Sequence, residues 1–260
     1  MVAGEWEIVP LLDAEGSFVS VADGFPGAST ETLERARAVA PAYYRDDGKW
    51  WVPFHAFLLR GPALLVVDAG VGPASPEFLG HANAHLPQEL ERAGVDPADV
   101  ETLFLTHLHV DHVGWADIFT SAQAYVHRAD WEHYDRPPTR AKFKPFTDDD
   151  RLTLLDGDAE IAPGVCAVET RGHTPGHMSL EVGETFVFGD VAVDVMQLID
   201  PDLVFASGDE DGAAAAATRR ATLERLADEG TRVASPHLPG VFGRVERDGR
   251  AFAWRADGSA

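Results

Sequence analysis

The sequence predicts a mixed fold of strands and helices, α/β or α+β in class. Two observations carry this. Short apolar, β-rich runs alternate with longer segments of helical period, and the order of strands followed by a helix occurs once in each half of the chain. Periodicity alone goes no further than that class.

Taken in order, residues 7–9 and 18–21 read as short strands around a turn at residues 13–16. Thr30–Val39 has helical composition, with Thr30 as cap and Glu31 and Glu34 in the first turn. Residues 42–51 are aromatic at both ends around Asp47-Gly48 and read as a hairpin or an ordered loop over a pocket. Residues 55–59 and 63–68 pair as strands around Gly61-Pro62. Residues 76–93 place Phe78, Leu79, Ala82, Leu86 and Leu90 near a 3.6 period and stop at Gly94, so they read as a helix. His81 and His85 lie four apart on it, but no carboxylate or cysteine stands nearby, which makes them an exposed face.

Residues 100–106 and Gln123–His127 are strands and residues 128–134 a short helix, and His127 and His133, without metal spacing, are structural. Residues 136–150, rich in proline and mixed in charge, read as an irregular insertion or lid. Strands follow at Leu152–Leu155, Val165–Glu169, 179–182 and 185–188. Asp209-Glu210-Asp211 then begins a helix over residues 212–228, where acidic residues suit the helix dipole and the alanine run suits helix propensity. Arg232–Ala234 is a strand, and residues 241–246 and 250–254 form a closing hairpin around Asp248-Gly249.

The 260 residues suffice for a substantial core, and with no evident linker a single domain over 1–260 is expected. The longest apolar runs are far too short to span a bilayer. The first 13 residues carry Glu5, Glu7 and Asp13 and lack a basic start followed by an apolar stretch, so a cytoplasmic location is expected. One cysteine, Cys166, excludes an intrachain disulfide. A net charge of −22 without a lysine/arginine cluster argues against nucleic acid and against anionic membrane surfaces as partners. A small molecule is the expected partner, and a homodimer the expected assembly.

The chemistry concentrates in Thr106-His107-Leu108-His109-Val110-Asp111-His112, directly after the apolar run 103–105. Side chains alternate at a strand's end, so His107, His109 and Asp111 can project to one side, with His112 where the chain turns. Imidazoles and a carboxylate this close repel if protonated and are poorly solvated if neutral. A divalent cation removes both problems.

This H-x-H-x-D-H stretch resembles the metallo-β-lactamase superfamily. The resemblance extends in order through Val67-Asp68-Ala69-Gly70, Gly172-His173-Thr174-Pro175-Gly176-His177, Gly189-Asp190 and Ser235-Pro236-His237. It implies a four-layer αββα sandwich, α+β in class, with two facing sheets and helices outside. It also implies that His107, His109 and His173 hold one metal, that Asp111, His112 and His237 hold a second, and that Asp190 bridges both. Asp68 would orient ligands by hydrogen bonds, and His177 would be a structural hydrogen-bonder. The cofactors would be two divalent ions. Zinc is favoured by a donor set without thiolate, while iron, manganese and cobalt stay compatible.

The implied activity is hydrolysis of small esters or lactones, or of phosphotriesters, by a hydroxide held between the ions, with Asp111 also orienting it. The plan resembles the lactonase and organophosphate-hydrolase branches. A tyrosine common three residues after the bridging aspartate in lactonases is Val193 here, which puts homoserine-lactone specificity in doubt. A β-lactamase reading is weakened because Cys166 is not at a ligand position. A glyoxalase II-like thioesterase would carry an added helical domain, and a mononuclear iron persulfide dioxygenase would relax the second ligand set. A non-catalytic binding module would lose ligands. Trp115, Met196, Phe205 and Phe242, near the ligand motifs, are candidates to line an apolar pocket.

Overall fold

Alternation along the strands determines how the layers assemble. The structure is a computed structural model that describes residues 2–3, 5–73 and 84–258. Among these, β1 (Val2–Ala3), β2 (Trp6–Ser20), β3 (Lys49–Arg60), β4 (Leu64–Val67), β5 (Thr102–Phe104), β6 (Gln123–His127) and β7 (Leu152–Leu155) lie side by side in chain order. β8 (Ala159–Ala162), β9 (Val165–Glu169), β10 (Met178–Val182), β11 (Thr185–Val187), β12 (Arg232–Ala234), β13 (Phe242–Asp248) and β14 (Ala251–Ala256) form a second sheet, again in chain order. β4 to β7 run parallel, as do β11 and β12, and the remaining pairings are antiparallel.

Phe57, Leu59, Leu65, Val67 and Phe104 of the first sheet pack against Ala167, Met178, Leu180, Val187 and Ala234 of the second. Their strand neighbours Ala56, Leu58, Val66 and Leu103 point the other way, onto α3 (Leu86–Arg92) and α5 (Pro137–Asp148) through Leu86, Leu90, Phe143 and Phe146. On the far side, Phe186, Val233, Val245 and Trp254 meet α2 (Thr30–Val39), α6 (Met196–Ile199) and α7 (Gly212–Glu229). Sheets buried on both faces between helices make the four-layer αββα sandwich. The short helices α1 (Val21–Gly24) and α4 (Arg128–His133) complete the chain. No helix among the described residues is long and apolar enough to cross a membrane.

Three local expectations are corrected. The two short N-terminal strands are one strand, β2, which carries a register shift between Leu12 and Ala14. Asp13 sits at that irregularity, fully buried, because its carboxylate accepts from Val71 N at 2.6 Å, Leu86 N at 2.7 Å and Trp115 Nε1 at 3.0 Å. Tertiary donors, rather than a local turn, satisfy it. The expected lid over 136–150 is α5: Pro137 and Pro138 occupy its first turn, where an N–H would go unpaired anyway, and Phe143 and Phe146 are buried beneath it. Residues 42–51 carry the end of a 3₁₀ turn (Pro41–Tyr43), an antiparallel bridge between Tyr44 and Trp50 and the start of β3, in keeping with the expected hairpin or ordered loop. Of the helix expected over 76–93, α3 is described, while Phe78, Leu79, His81 and Ala82 lie outside the described residues.

Asp13→Ala would strand three buried donors, each costing about 1–3 kcal/mol. Urea unfolding is expected to show a loss of about 3–5 kcal/mol for this variant, and a loss under about 1 kcal/mol would refute the role given to the carboxylate.

Candidate metal centre

The loop 106–112 is shaped by close backbone crossings. After β5, Asp68 N donates to Phe104 O at 2.8 Å, Ala69 N to His112 O at 2.7 Å, and Gly114 N to Gly70 O at 2.7 Å. A Cβ on Gly114 would lie 2.0 Å from the carbonyl carbon of Val71, so only glycine lets the two segments meet. This crossing turns the chain back and leaves His107, His109, Asp111 and His112 at the ends of the parallel strands.

The second sheet supplies the rest. His173 lies between β9 and β10, Asp190 follows β11 and His237 follows β12. Gly189 takes φ 54°, and Asp190 N donates to His177 Nε2 at 2.8 Å. A Cβ on Gly189 would approach that nitrogen to 2.6 Å. His177 also bonds Thr170 Oγ1 through Nδ1 at 2.8 Å, so both its nitrogens are engaged while its ring packs beside those of His107 and His173.

The structure brings all seven predicted ligands together. His107, His109 and His173 form one group, Asp111, His112 and His237 another, and His107, His112 and Asp190 a third, with ligand atoms in each group within 4.8 Å of one another. His109 Nδ1 is 3.1 Å from His107 Nε2 and 3.0 Å from His173 Nε2. Donors around a tetrahedral cation at ~2.0–2.1 Å stand ~3.3 Å apart, so these spacings fit such an ion. Asp190 points one oxygen at each set: Oδ2 is 3.1 Å from His173 Nε2, and Oδ1 is 3.2 Å from His237 Nε2 and 3.4 Å from His112 Nε2. His112 Nε2 and Asp190 Oδ1 are both buried without a hydrogen-bond partner. With His112 Nδ1 on Asp68 Oδ2 at 2.9 Å, its Nε2 faces Asp190 Oδ1, and the carboxylates around the ring outweigh burial and raise it well above its usual value. A proton or a bound cation satisfies both atoms, and the donor set as a whole fits divalent metal.

Asp68 also accepts from Thr106 N and Oγ1, and the other nitrogens of the remaining histidines are engaged as well. His237 Nδ1 donates to Pro53 O at 2.8 Å, His107 Nδ1 meets Thr106 Oγ1 at 3.0 Å, His173 Nδ1 donates to Asp209 Oδ1 at 2.9 Å, and His109 Nε2 lies 2.9 Å from Tyr134 OH. Each ring is thereby fixed in orientation with one nitrogen left for metal. Electrostatics divide the set. Burial and neighbouring imidazoles hold His109 down at about 3 and His107 below the usual range. In His173 the carboxylates of Asp190 and Asp209 outweigh burial and lift it to about 9.

A cavity opens beside Asp111, His173, Asp190 and His237, walled by Phe18, Trp50, Val52, Phe54, Val193 and Phe205. Of the four residues expected to line it, only Phe205 does. Trp115 donates instead to Asp13, Met196 is fully buried in α6, and Phe242 packs on Phe57. Those side chains follow ligand motifs in sequence, but the chain carries them away from the opening. The actual wall comes largely from β2 and β3. Phe18, Phe54 and Val52 were missed because nothing local links them to the motifs, whereas Trp50 lay in the aromatic stretch marked as a pocket candidate. Trp50 stands edge-on to Phe18 at 5.9 Å and to Phe205 at 5.6 Å, so the wall is a packed aromatic cluster.

An αββα sandwich with a histidine–carboxylate cluster at one edge of its sheets defines a metal-centred class of protein. The chain belongs to the metallo-beta-lactamase superfamily, which it matches over residues 51–188. An N-acyl homoserine lactonase of a Bacillus species is 34% identical over 106 residues, 41% of this chain and 42% of the relative. The N-acyl homoserine lactonase AttM of Rhizobium radiobacter is 31% identical over 110 residues, 36% and 40% of the two chains. The match thus spans less than half the length of these relatives. Among solved structures, the hydrolase AbOPH of the beta lactamase superfamily superposes with a TM-score of 0.82 at 25% identity, covering 98% of this chain and 96% of that one. AidC, a dizinc quorum-quenching lactonase in complex with a product, gives a TM-score of 0.84 at 20% identity over 100% and 97%, a likeness of fold.

Behind the pocket wall, Asp194 is buried, accepting from Tyr44 OH at 2.5 Å and from Met196 N at 2.8 Å. Burial pushes its carboxyl up to about 6, against 3.8 for the exposed group. The folded state therefore holds this proton more tightly than the unfolded chain. The resulting stabilisation is full below 3.8 and is lost as pH rises through about 6. Relative to wild type, Asp194→Asn is expected to gain roughly 3 kcal/mol between pH 3 and pH 7, as the two-unit shift implies. Urea unfolding of both proteins across that range checks it, and a pH-independent difference would contradict it.

Proposed function

We propose that this chain is a dinuclear metal-dependent hydrolase that cleaves small esters or lactones bearing an apolar group. The observation that carries the reading is Asp190, one oxygen toward His107 and His173 and the other toward His112 and His237. An intact Asp111/His112/His237 set supports two ions over a mononuclear iron oxidoreductase. Zinc is the proposed metal, from the donor set and from the dizinc lactonase of like fold.

Two such ions, when bound, act as Lewis acids and lower the pKa of water to about 7. His107, His109 and His173 would hold one, Asp111, His112 and His237 the other, and Asp190 both. Asp111 has a second task. Its side chain is 18% exposed where Asp190 is 4%, and it lines the cavity, so it can orient the attacking water and accept its proton. Phe18, Trp50, Phe54 and Phe205 would hold an apolar acyl or aryl group and exclude bulk water.

Val193 lines the cavity where a phenol would aid a departing alkoxide, and the tyrosine hydroxyls named above are committed elsewhere, that of Tyr44 to Asp194 and that of Tyr134 to His109 and Glu210. Esters with good leaving groups therefore suit this site better than homoserine lactones. Phosphotriesters join the tested substrates because water activated at such a centre would attack phosphorus as well as carbonyl carbon.

Metal analysis is expected to give two ions per chain, and a panel of aryl esters, N-acyl homoserine lactones and phosphotriesters is expected to show chelator-sensitive turnover fastest on aryl esters. Asp190→Asn should lower that turnover by about 100-fold or more, the scale of losing a transition-state contact. Fewer than two ions together with no turnover on any class would sink the proposal.

A further inference from the structure

We infer that the consecutive pair Asp209-Glu210 positions two of the three histidines of one metal ion and neither of the other's, Asp209 by direct contact with His173 and Glu210 through the Tyr134 hydroxyl on His109. This rests on the dinuclear reading above. In sequence the acidic run 209–211 looks like a helix start, and only Asp211 has that role, its carboxylate accepting from Ala214 N at 3.0 Å. Asp209 and Glu210 face the metal centre instead.

Asp209 is 1% exposed and uses both oxygens. Oδ1 accepts from His173 Nδ1 at 2.9 Å, while Oδ2 accepts from Phe205 N at 2.9 Å and Arg219 Nη2 at 3.2 Å. Arg219 is itself buried and is tied to the carbonyls of Val191, Pro201 and Leu203. The carboxylate therefore cannot rotate, and the imidazole it holds cannot either. Its contact with Phe205 N joins the pocket wall to the same anchor.

Glu210 works at one remove. Tyr134 OH donates to Glu210 Oε1 at 3.1 Å, so its oxygen is free to accept the Nε2–H of His109 at 2.9 Å. That leaves His109 Nδ1 bare toward His107 and His173. Backbone bonds from Glu210 N to His173 O at 2.9 Å and from Asp211 N to Gly172 O at 3.0 Å fasten the segment to the His173 loop. Glu210 is 41% exposed, so its effect is the smaller of the two. In the other set His112 depends on Asp68 and His237 on the Pro53 carbonyl, and Asp68 also reaches His107 of the first set through the Thr106 hydroxyl.

Carboxylate partners of ligating histidines are worth about 10–100-fold in metal affinity. The test is stepwise zinc binding, read by competition with a chromophoric chelator, together with the absorption spectrum of the cobalt-loaded protein. Asp209→Asn is expected to weaken one of the two ions by about 10–100-fold and to leave the other within threefold. Tyr134→Phe should weaken the same ion by less, while Asp68→Asn, in direct contact with His112 and at one remove from His107, should weaken the other ion most. Should Asp209→Asn fail to fold because Arg219 is left unpaired, Tyr134→Phe decides, since it removes no charge. Wild-type affinity for both ions in Tyr134→Phe, or equal weakening of both, overturns the assignment. A wild-type protein that binds fewer than two ions overturns the dinuclear reading first, and is seen before any variant is made.

Discussion

The structure depends on one carboxylate shared between two sets of imidazoles. Asp190 is 4% exposed, and its ordinary preference when buried would be to take up a proton. Four histidine nitrogens around it, those of His107, His112, His173 and His237, hold it ionised, well below the usual carboxylate range. A buried anion surrounded by bases that are themselves stripped of water is costly unless every remaining donor and acceptor is satisfied. That is why so many polar groups are arranged behind the ligands: Asp68, Thr106, Asp209, Tyr134 and the Pro53 carbonyl each close one histidine's far nitrogen.

Topology places those groups without long loops. β4 and β5 are parallel neighbours, and so are β11 and β12. Chains leaving adjacent parallel strands emerge on the same edge. Asp68 and the 106–112 loop therefore arrive together from one sheet, and Asp190 and His237 together from the other. The antiparallel strands outside them supply the wall: Phe18 on β2, and Trp50, Val52 and Phe54 on β3. One edge of the sandwich thus carries the ligands and the apolar surface beside them, and the helices cover what remains.

How much of this was legible in the sequence follows from how local each signal is. The histidine cluster is dense in sequence, and most individual strands follow from short apolar runs. Asp190 and His237 are isolated in sequence, and only their likeness to a known pattern identified them. The αββα layering came from the same source. Asp13 was unreadable because its partners Val71, Leu86 and Trp115 lie 58, 73 and 102 residues away. Asp209 misled for the opposite reason, since a strong local pattern, acidic residues before an alanine-rich helix, accounted for it fully. α5 was hidden by its prolines: Pro137 and Pro138 open it, where proline is favoured, but Pro145 stands in its interior, where proline argues against a helix.

Charge around the ligands is answered locally. Asp68, Asp111, Asp190 and Asp209 gather at or one contact from the ligands, and Glu210 at two. Arg219 pairs with Asp209 directly, and the imidazoles answer much of the rest: Asp190 and Asp209 lift His173 to about 9, and Asp190, Asp68 and Asp111 raise His112 well above its usual value. A cation bound there would take over that work and release the protons. The acidity of the chain as a whole has no bearing on this balance, because most of its carboxylates are solvated. What matters is that these few are placed where cationic groups, more than water, must answer them.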